Sequence, residues 1–304
     1  MGCSIGTANF PDNAIDQESL LKQAGMAMHM AKANGRNRFQ TFTPSLARAL
    51  HRKVEIRHRL ARALENEDLA LHYQPIMNTN SDKVKGFEAL LRWSDKDLGD
   101  IRPDEFIALA EETGQIVPLG KWVLNSALKQ LSIWHRKFDN QLMMSINISS
   151  IQMHATFADQ LSAMLNFYNI QPQSIALEIT ESSMIFKHGE VRQALCDIAK
   201  LGVELHLDDF GTGYSSLSML HDLPISTVKL DKSFVHGSHK GSKAIVQATQ
   251  AICDKLGLKV VAEGVETETQ KGFLVDCGYQ YLQGFLFSKP IPSNEVESKF
   301  LFLR

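Results

Sequence analysis

Val203-Glu204-Leu205-His206-Leu207-Asp208-Asp209 is a short β-rich run that stops on two acids. The same layout recurs along the chain. Phe87-Glu88-Ala89-Leu90 follows Lys83-Val84-Lys85, Asn147 ends Leu142-Met143-Met144-Ser145-Ile146, and Glu178 ends Ser174-Ile175-Ala176-Leu177. Lys229 ends Ile225-Ser226-Thr227-Val228, and Glu263 ends Lys259-Val260-Val261-Ala262. Oxygen donors at several strand ends point to one hard-metal site at the mouth of a closed parallel sheet, and so to a metal-dependent hydrolase.

Between these runs the chain alternates with helical segments. The pattern predicts strands at Leu69–Tyr73 and Val84–Trp93, then helices near Pro103–Thr113 and Pro118–Phe138. Further strands are expected at Leu142–Asn147, Ile175–Ile179, Glu204–Leu207, Thr227–Leu230, Lys259–Ala262 and Tyr281–Gln283. The intervening helices fall near Ala155–Tyr168, Gly189–Leu201, Ser215–Leu220, Ser242–Leu256 and Glu266–Asp276. Repeated βα units argue for a (β/α)8 barrel. The connection from Tyr73 to Val84 has no room for a helix, so the first strand pair is expected to be antiparallel.

The 304 residues are enough for such a barrel and an extra segment. A hydrophobic fraction of 44% and a charged fraction of 22% are those of an ordinary soluble chain. The formal net charge of -2 gives no support to a nucleic-acid polymer as partner. Cys3, Cys196, Cys253 and Cys277 form no CxxC pair, so they read as reduced thiols in a cytoplasmic setting. No apolar run has membrane-spanning length, although a larger membrane-anchored protein could carry this chain as its cytoplasmic part.

Residues 1–42 do not make a whole domain. Ser4–Ala8 and Arg36–Phe42 read as strands, and Glu18–Asn34 as a helix with Leu20, Leu21, Ala24, Met28 and Ala31 on one face. So few elements bury little core, which marks a fragment of something larger. An Arg- and Glu-rich helix follows over about 44–66, with Leu46, Leu50, Val54, Leu60, Ala63 and Leu64 in one stripe. It fits a connector, a dimer helix, or an exposed first helix packed on the barrel.

Glu88, Asn147, Glu178, Asp208, Asp209 and Glu263 are hard donors of the kind Mg²⁺ or Mn²⁺ prefers. No His lies at the strand ends in a zinc-like spacing, and the His residues, His206 among them, make no ligand pattern. A single such acid is ordinarily a helix N-cap or a rim ion-pair partner; six in succession are not accounted for that way. Adjacent acids on a strand point to opposite sides. At a strand end the backbone can turn, bringing Asp208 and Asp209 together, with Gly211 and Gly213 permitting a mobile loop. Gly264 permits close backbone approach beside Glu263. Lys229, on a barrel strand among acids, can hold a water or a phosphate oxygen, or form a plain ion pair. Arg92, four residues beyond Glu88 on the same face, can clamp a phosphate. Ca²⁺ is expected to inhibit, because it prefers more ligands and looser geometry than Mg²⁺.

Glu88-Ala89-Leu90-Leu91-Arg92-Trp93 resembles the name-giving motif of the EAL domain, the family of cyclic di-GMP phosphodiesterases. The likeness extends through Tyr73-Gln74-Pro75-Ile76, Asn147, Glu178-Ile179-Thr180-Glu181-Ser182, Asp208 to Leu217, Lys229-Leu230-Asp231, Glu263-Gly264-Val265-Glu266 and Gln283-Gly284-Phe285. Residues 4–42 resemble the C-terminal end of a GGDEF domain through Ser4-Ile5-Gly6 and Ala31 to Arg38, with Gly25 and His29 departing from the usual Asp and Tyr. The GGDEF signature itself is absent, so no cyclase activity is expected, and the start implies an engineered or naturally truncated beginning.

The resemblance implies a modified TIM (β/α)8 barrel with an antiparallel first strand pair, preceded by a small α/β fragment and a linker helix. The divisions it implies are 1–42, 43–66 and 67–304. It further implies hydrolysis of cyclic di-GMP to linear 5'-pGpG by two ions, Mg²⁺ or Mn²⁺. Glu88, Asn147, Glu178 and Asp208 match the holders of the first ion, and Asp208, Asp209 and Glu263 those of the second. Glu263 also matches a general base, Lys229 a residue that positions water, and Glu181 an anchor for the loop after Asp209. Gln74, Arg92, Glu266 and Gln283 fall at substrate-side positions, and a homodimer is expected. The alternative is a silent cyclic di-GMP receptor, disfavoured because every ligand position is filled.

Overall fold

The computed structural model describes residues 2–33, 35–181, 189–212, 217–237 and 240–301. Gly213-Tyr214-Ser215-Ser216, Ser182 and Asn34 lie outside the described residues. Two compact units are present, 1–63 and 64–304.

In the first unit, β1 (Ile5–Thr7) and β2 (Phe39–Thr41) pair in parallel around the helix α1 (Gln17–Ala33). The helix buries Ala27, Met30 and Ala31, whereas Leu21, expected on that face, is 65% exposed. A second helix, α2 (Pro44–Ala63), buries Ile56, Leu60 and Ala63. Val54, also expected inside, is 53% exposed. In both helices Leu and Val fit more than one stripe, and which stripe is used depends on what packs there.

The second unit is a barrel. Its strands are β3 (Leu69–Asn78), β4 (Lys83–Asp95), β5 (Gly99–Ile101), β6 (Met143–Asn147), β7 (Ile175–Thr180), β8 (Glu204–Phe210), β9 (Thr227–Leu230), β10 (Lys259–Ala262) and β11 (Tyr281–Gln283). The sheet runs β3-β11-β10-β9-β8-β7-β6-β4, and β3 also pairs with β4, so eight strands close on themselves while β5 hangs on β4. Strand β3 is antiparallel to both of its neighbours; the other barrel pairs are parallel. The reversed strand follows from the tight β3–β4 turn, where Asn78 Oδ1 accepts from the Asn80 and Ser81 amides.

The first two strands are longer than expected. Pro75 argues against extending β3 past Tyr73, yet it falls between the stretch paired with β11 and the Tyr73–Ile291 bridge. Its missing N–H therefore costs little there.

Around the barrel lie α3 (Pro103–Thr113), α4 (Ile116–Lys137), α5 (Phe157–Tyr168), α6 (Glu190–Lys200), α7 (Leu217–Asp222), α8 (Lys232–His236), α9 (Lys240–Leu256), α10 (Glu268–Asp276) and α11 (Ser293–Phe300). Helix α4 begins two residues before Pro118, which the first turn tolerates. It buries Leu119, Val123, Leu124, Leu128, Leu131 and Trp134. Trp134 meets Tyr73 edge-on at 4.9 Å and Phe87 at 5.1 Å. Each fully buried side chain of this kind contributes roughly 1.5–3 kcal/mol. Strand β5 and helices α8 and α11 were not expected from the sequence. The helix α8 is short and is capped by the preceding Asp231, whose carboxylate accepts from the Ser233 amide.

Candidate active site

The parallel strands open toward one end, where successive side chains of the right parity point into the barrel. Lys229, next to last on β9, is fully buried there. Its Nζ stands 2.6 Å from Glu178 Oε2 on β7 and 2.7 Å from Glu263 Oε1 just past β10. It lies 3.4 Å from Glu88 Oε2 on β4 and 3.5 Å from Asp208 Oδ1 on β8. Closure of the barrel makes these neighbours out of residues far apart in sequence. Neither Glu88 nor Glu178 is at a strand end: β4 continues to Asp95 and β7 to Thr180.

Asp208 and Asp209 share this mouth because β8 carries a bulge. Leu207 pairs with Val228 and Phe210 with Leu230, so one extra residue is fitted on β8. Asp209 takes a left-handed φ of 55°. Its N–H donates to Asp208 Oδ1 at 3.0 Å. One carboxylate oxygen from each of Asp208, Asp209 and Glu263 lies within 4.8 Å of the others.

The turn after Asp209 is tied in two ways. The Gly211 N–H donates to Glu181 Oε2 at 3.3 Å, and the Thr212 hydroxyl donates to Asp209 O at 2.9 Å. Gly211 has a φ of 95°, which a side chain would resist. Gly264 has a φ of 67°, and a Cβ there would collide with Lys232 Cβ. The backbone beside Glu263 is thus held close to α8.

Besides Lys229, two amides hold Glu88. Asn147 Nδ2 donates to its Oε1 at 2.7 Å, and Gln283 Nε2 to its Oε2 at 2.6 Å. Gln283 Nε2 also reaches Gln74 Oε1 at 3.0 Å, and Gln74 Nε2 donates to Ser288 O at 3.1 Å. Gln74 and Gln283 are therefore buried parts of the chain that orients Glu88. Arg92 stands half-buried nearer the mouth, its Nη1 donating to Leu91 O at 2.8 Å. Glu266 is exposed, 3.8 Å from His236 Nε2.

Four carboxylates around one ammonium, with Asp209 beside them, unbalance the titrations. Burial pushes the Glu263 carboxyl well up, and Asp208 and Glu88 push the same way against the pull of Lys229. Burial and Asp208 raise Asp209; burial and Glu88 raise Glu178. Burial also opposes ionisation of Glu88, but Lys229, Gln283 and Asn147 outweigh it and hold its carboxyl low. Burial would lower Lys229, yet the four carboxylates about it keep it firmly protonated.

One neighbour of this cluster escaped the sequence reading. His206, two residues before Asp208 on β8, pairs in register with Glu178 and points into the barrel, 3.6 Å from Glu178 Oε1. The signal for it is the alternation Glu204, His206, Asp208 against Leu205, Leu207, which places three polar residues on one inward row.

Residues 57–290 match the EAL domain. The chain belongs to the EAL family. Cyclic di-GMP phosphodiesterase PdeR of Escherichia coli is 40% identical over 298 residues, covering 97% of this chain and 45% of PdeR. The bifunctional diguanylate cyclase/cyclic di-GMP phosphodiesterase MucR of Pseudomonas aeruginosa is 38% identical over 299 residues, covering 97% of this chain and 44% of MucR. This chain spans less than half of either relative. Among solved structures, the PaMucR phosphodiesterase in complex with c-di-GMP superimposes with a TM-score of 0.76 at 39% identity, covering 80% of this chain and 99% of that one. The EAL barrel with its reversed strand, anticipated from the short Tyr73–Val84 connection, is what both the topology and this likeness give. No helix among the described residues is long and apolar enough to cross a membrane.

Proposed function

We propose that this chain hydrolyses one phosphodiester of cyclic di-GMP to linear 5'-pGpG with two divalent cations, Mg²⁺ or Mn²⁺, at the barrel mouth. The observation that carries this is the convergence of Glu88, Glu178, Asp208 and Glu263 on Lys229 in an EAL barrel, with Asn147 bonded to Glu88 and Asp209 beside Asp208 and Glu263. PdeR and MucR, which are similar over nearly the whole chain, carry the name of this activity.

The residues fit such cations. The donors are all oxygen, and crowding among the carboxylates raises Asp209 and Glu263, a repulsion that positive charge relieves. Glu88, Asn147, Glu178 and Asp208 would hold one ion, and Asp208, Asp209 and Glu263 the other. Bound there, the ions polarise the phosphate and lower the pKa of water. Lys229 Nζ stays protonated and orients by donating. Glu263, once ionised beside the cations, would accept a proton from the attacking water at a carboxylate oxygen. Glu181 pins the turn that carries Asp209. Arg92 contacts phosphate, Glu266 lies on the substrate side, and Gln74 and Gln283 act on the substrate pocket through Glu88.

The same reading takes residues 1–42 as the C-terminal remnant of a GGDEF domain, 43–66 as a linker helix and 67–304 as the EAL domain. The parallel β1–α1–β2 unit and the match to a bifunctional cyclase/phosphodiesterase support it. A cytoplasmic homodimer belongs to this proposal.

Purified chain incubated with cyclic di-GMP and Mg²⁺ or Mn²⁺, with and without EDTA, tests it by chromatography of the product. We expect pGpG with the cation and none in excess EDTA. Full turnover in EDTA overturns the metal reading. Binding of cyclic di-GMP without turnover under any condition marks a silent receptor instead.

A further inference from the structure

Glu178 offers its two oxygens to opposite sides. Oε2 is engaged by Lys229 at 2.6 Å. Oε1 faces His206 Nδ1 at 3.6 Å, and among the described residues neither of these two buried atoms has a hydrogen-bond partner. Two buried polar atoms left unpaired beside each other are costly, and a small approach joins them. The other edge of the imidazole is tethered. His206 Nε2 lies 3.3 Å from Glu204 Oε2, and Lys259 Nζ is 2.6 Å from Glu204 Oε1. Lys259, Glu204, His206, Glu178 and Lys229 therefore alternate as cationic, acidic, imidazole, acidic and cationic groups from the exposed Lys259 into the barrel interior. His206 touches neither the open mouth nor the Asp208, Asp209 and Glu263 oxygens, so its place is behind Glu178.

We propose that His206 is a positioning residue for cation binding. It fixes the Glu178 carboxylate from below by an Nδ1–H donor, while its Nε2–H donates to Glu204, whose other oxygen is held by Lys259. This rests on the metal-dependent reading above. Partners that hydrogen-bond a ligating carboxylate typically affect cation affinity by about 10- to 100-fold.

The geometry separates the two edges of the ring. Asn at this position keeps an amide donor where Nδ1 lies, toward Glu178. Gln reaches instead to where Nε2 lies, toward Glu204. The readout is the Mn²⁺ dissociation constant of the metal-stripped full chain, followed by electron paramagnetic resonance without substrate, together with melting temperature. His206→Leu and His206→Gln are expected to weaken Mn²⁺ binding by about 10-fold or more, and His206→Asn by about 3-fold or less. If His206→Leu does not fold, the Asn and Gln variants decide. Equal Mn²⁺ affinity in wild type and His206→Gln overturns the proposal, as does an affinity loss in Asn as large as in Gln. A wild-type chain that takes up no Mn²⁺ overturns the metal reading itself, and the role of His206 with it.

Discussion

The Lys229 ammonium stands 2.7 Å from the Glu263 carboxylate, and both belong to a group in which acids outnumber bases. Without a cation, Lys229 supplies the nearest positive charge to Glu88, Glu178, Asp208 and Glu263. Breaking a buried ion pair from one side commonly costs about 3–5 kcal/mol, because charge is left uncompensated. Lys229→Met is expected to lose most turnover and to melt well below wild type in EDTA. Added Mg²⁺ should recover more melting temperature in this variant than in wild type. An equal Mg²⁺ response in both proteins would argue that the ammonium and the cation do not share these carboxylates.

Glu263 separates chemistry from binding. Glu263→Ala should lose about 10²-fold or more in turnover, the usual effect of removing a proton acceptor. Cyclic di-GMP binding should survive in Ca²⁺, since Arg92, Glu88 and Asn147 are untouched. Calorimetric titration and initial rates on one preparation check both, and turnover near wild type would return Glu263 to a structural role. In wild type, Ca²⁺ should support far less turnover than Mg²⁺.

Glu181 lies outside the carboxylate cluster but holds Gly211 N–H at 3.3 Å. Glu181→Ala should leave the barrel folded, raise the Mg²⁺ concentration for half-maximal activity and lower turnover together. If Glu181 merely closes a helix start, the loss is about 1 kcal/mol of stability with an unchanged Mg²⁺ requirement. Melting temperature and a Mg²⁺ titration of the same variant distinguish the two.

At the other end of the barrel, burial opposes ionisation of Glu204, but His206 and Lys259 outweigh it and bring its carboxyl from the ordinary 4.5 down to about 2. A depressed acid stabilises the fold fully above its unfolded value and loses that contribution as pH falls through its folded one. The contribution is present above pH 4.5 and should fade toward pH 2, and solvent around the exposed Lys259 keeps it modest. Glu204→Gln should thus be less stable than wild type at pH 7, with the gap narrowing in acid. Urea unfolding of both proteins at pH 7 and pH 4 measures it; a gap that widens in acid would contradict the assignment.

Most of the polar cluster at the mouth was legible because an acid or amide in or at the end of a run of β-formers is a local pattern. Glu88, Asn147, Glu178, Asp208 and Glu263 were all picked out from such runs, although β4 and β7 continue past Glu88 and Glu178; the four acids meet around Lys229, and Asn147 joins them through Glu88. Asp209 was harder. Strict alternation puts it opposite Asp208, and only the bulge and its left-handed backbone bring it round. His206 was overlooked because a polar residue inside a barrel looks, in one strand alone, like a residue on a wet face. Leu21 and Val54 were misplaced for the converse reason: an apolar residue is buried only if something covers it.

The sequence by itself determined the order of strands and helices, the reversed first strand through a connection too short for a helix, and the chemical identity of the oxygen-bearing side chains that gather at the mouth. These depend on backbone period, loop length and side-chain chemistry, all of which are local. Tertiary structure alone decided that residues as distant in the chain as Glu88, Glu178 and Glu263 share one ammonium, and that Glu178 is backed by His206. Those relations are set by closure and register of the barrel. Charge interactions depend on distance through space, and that distance does not exist until the ring of strands has closed.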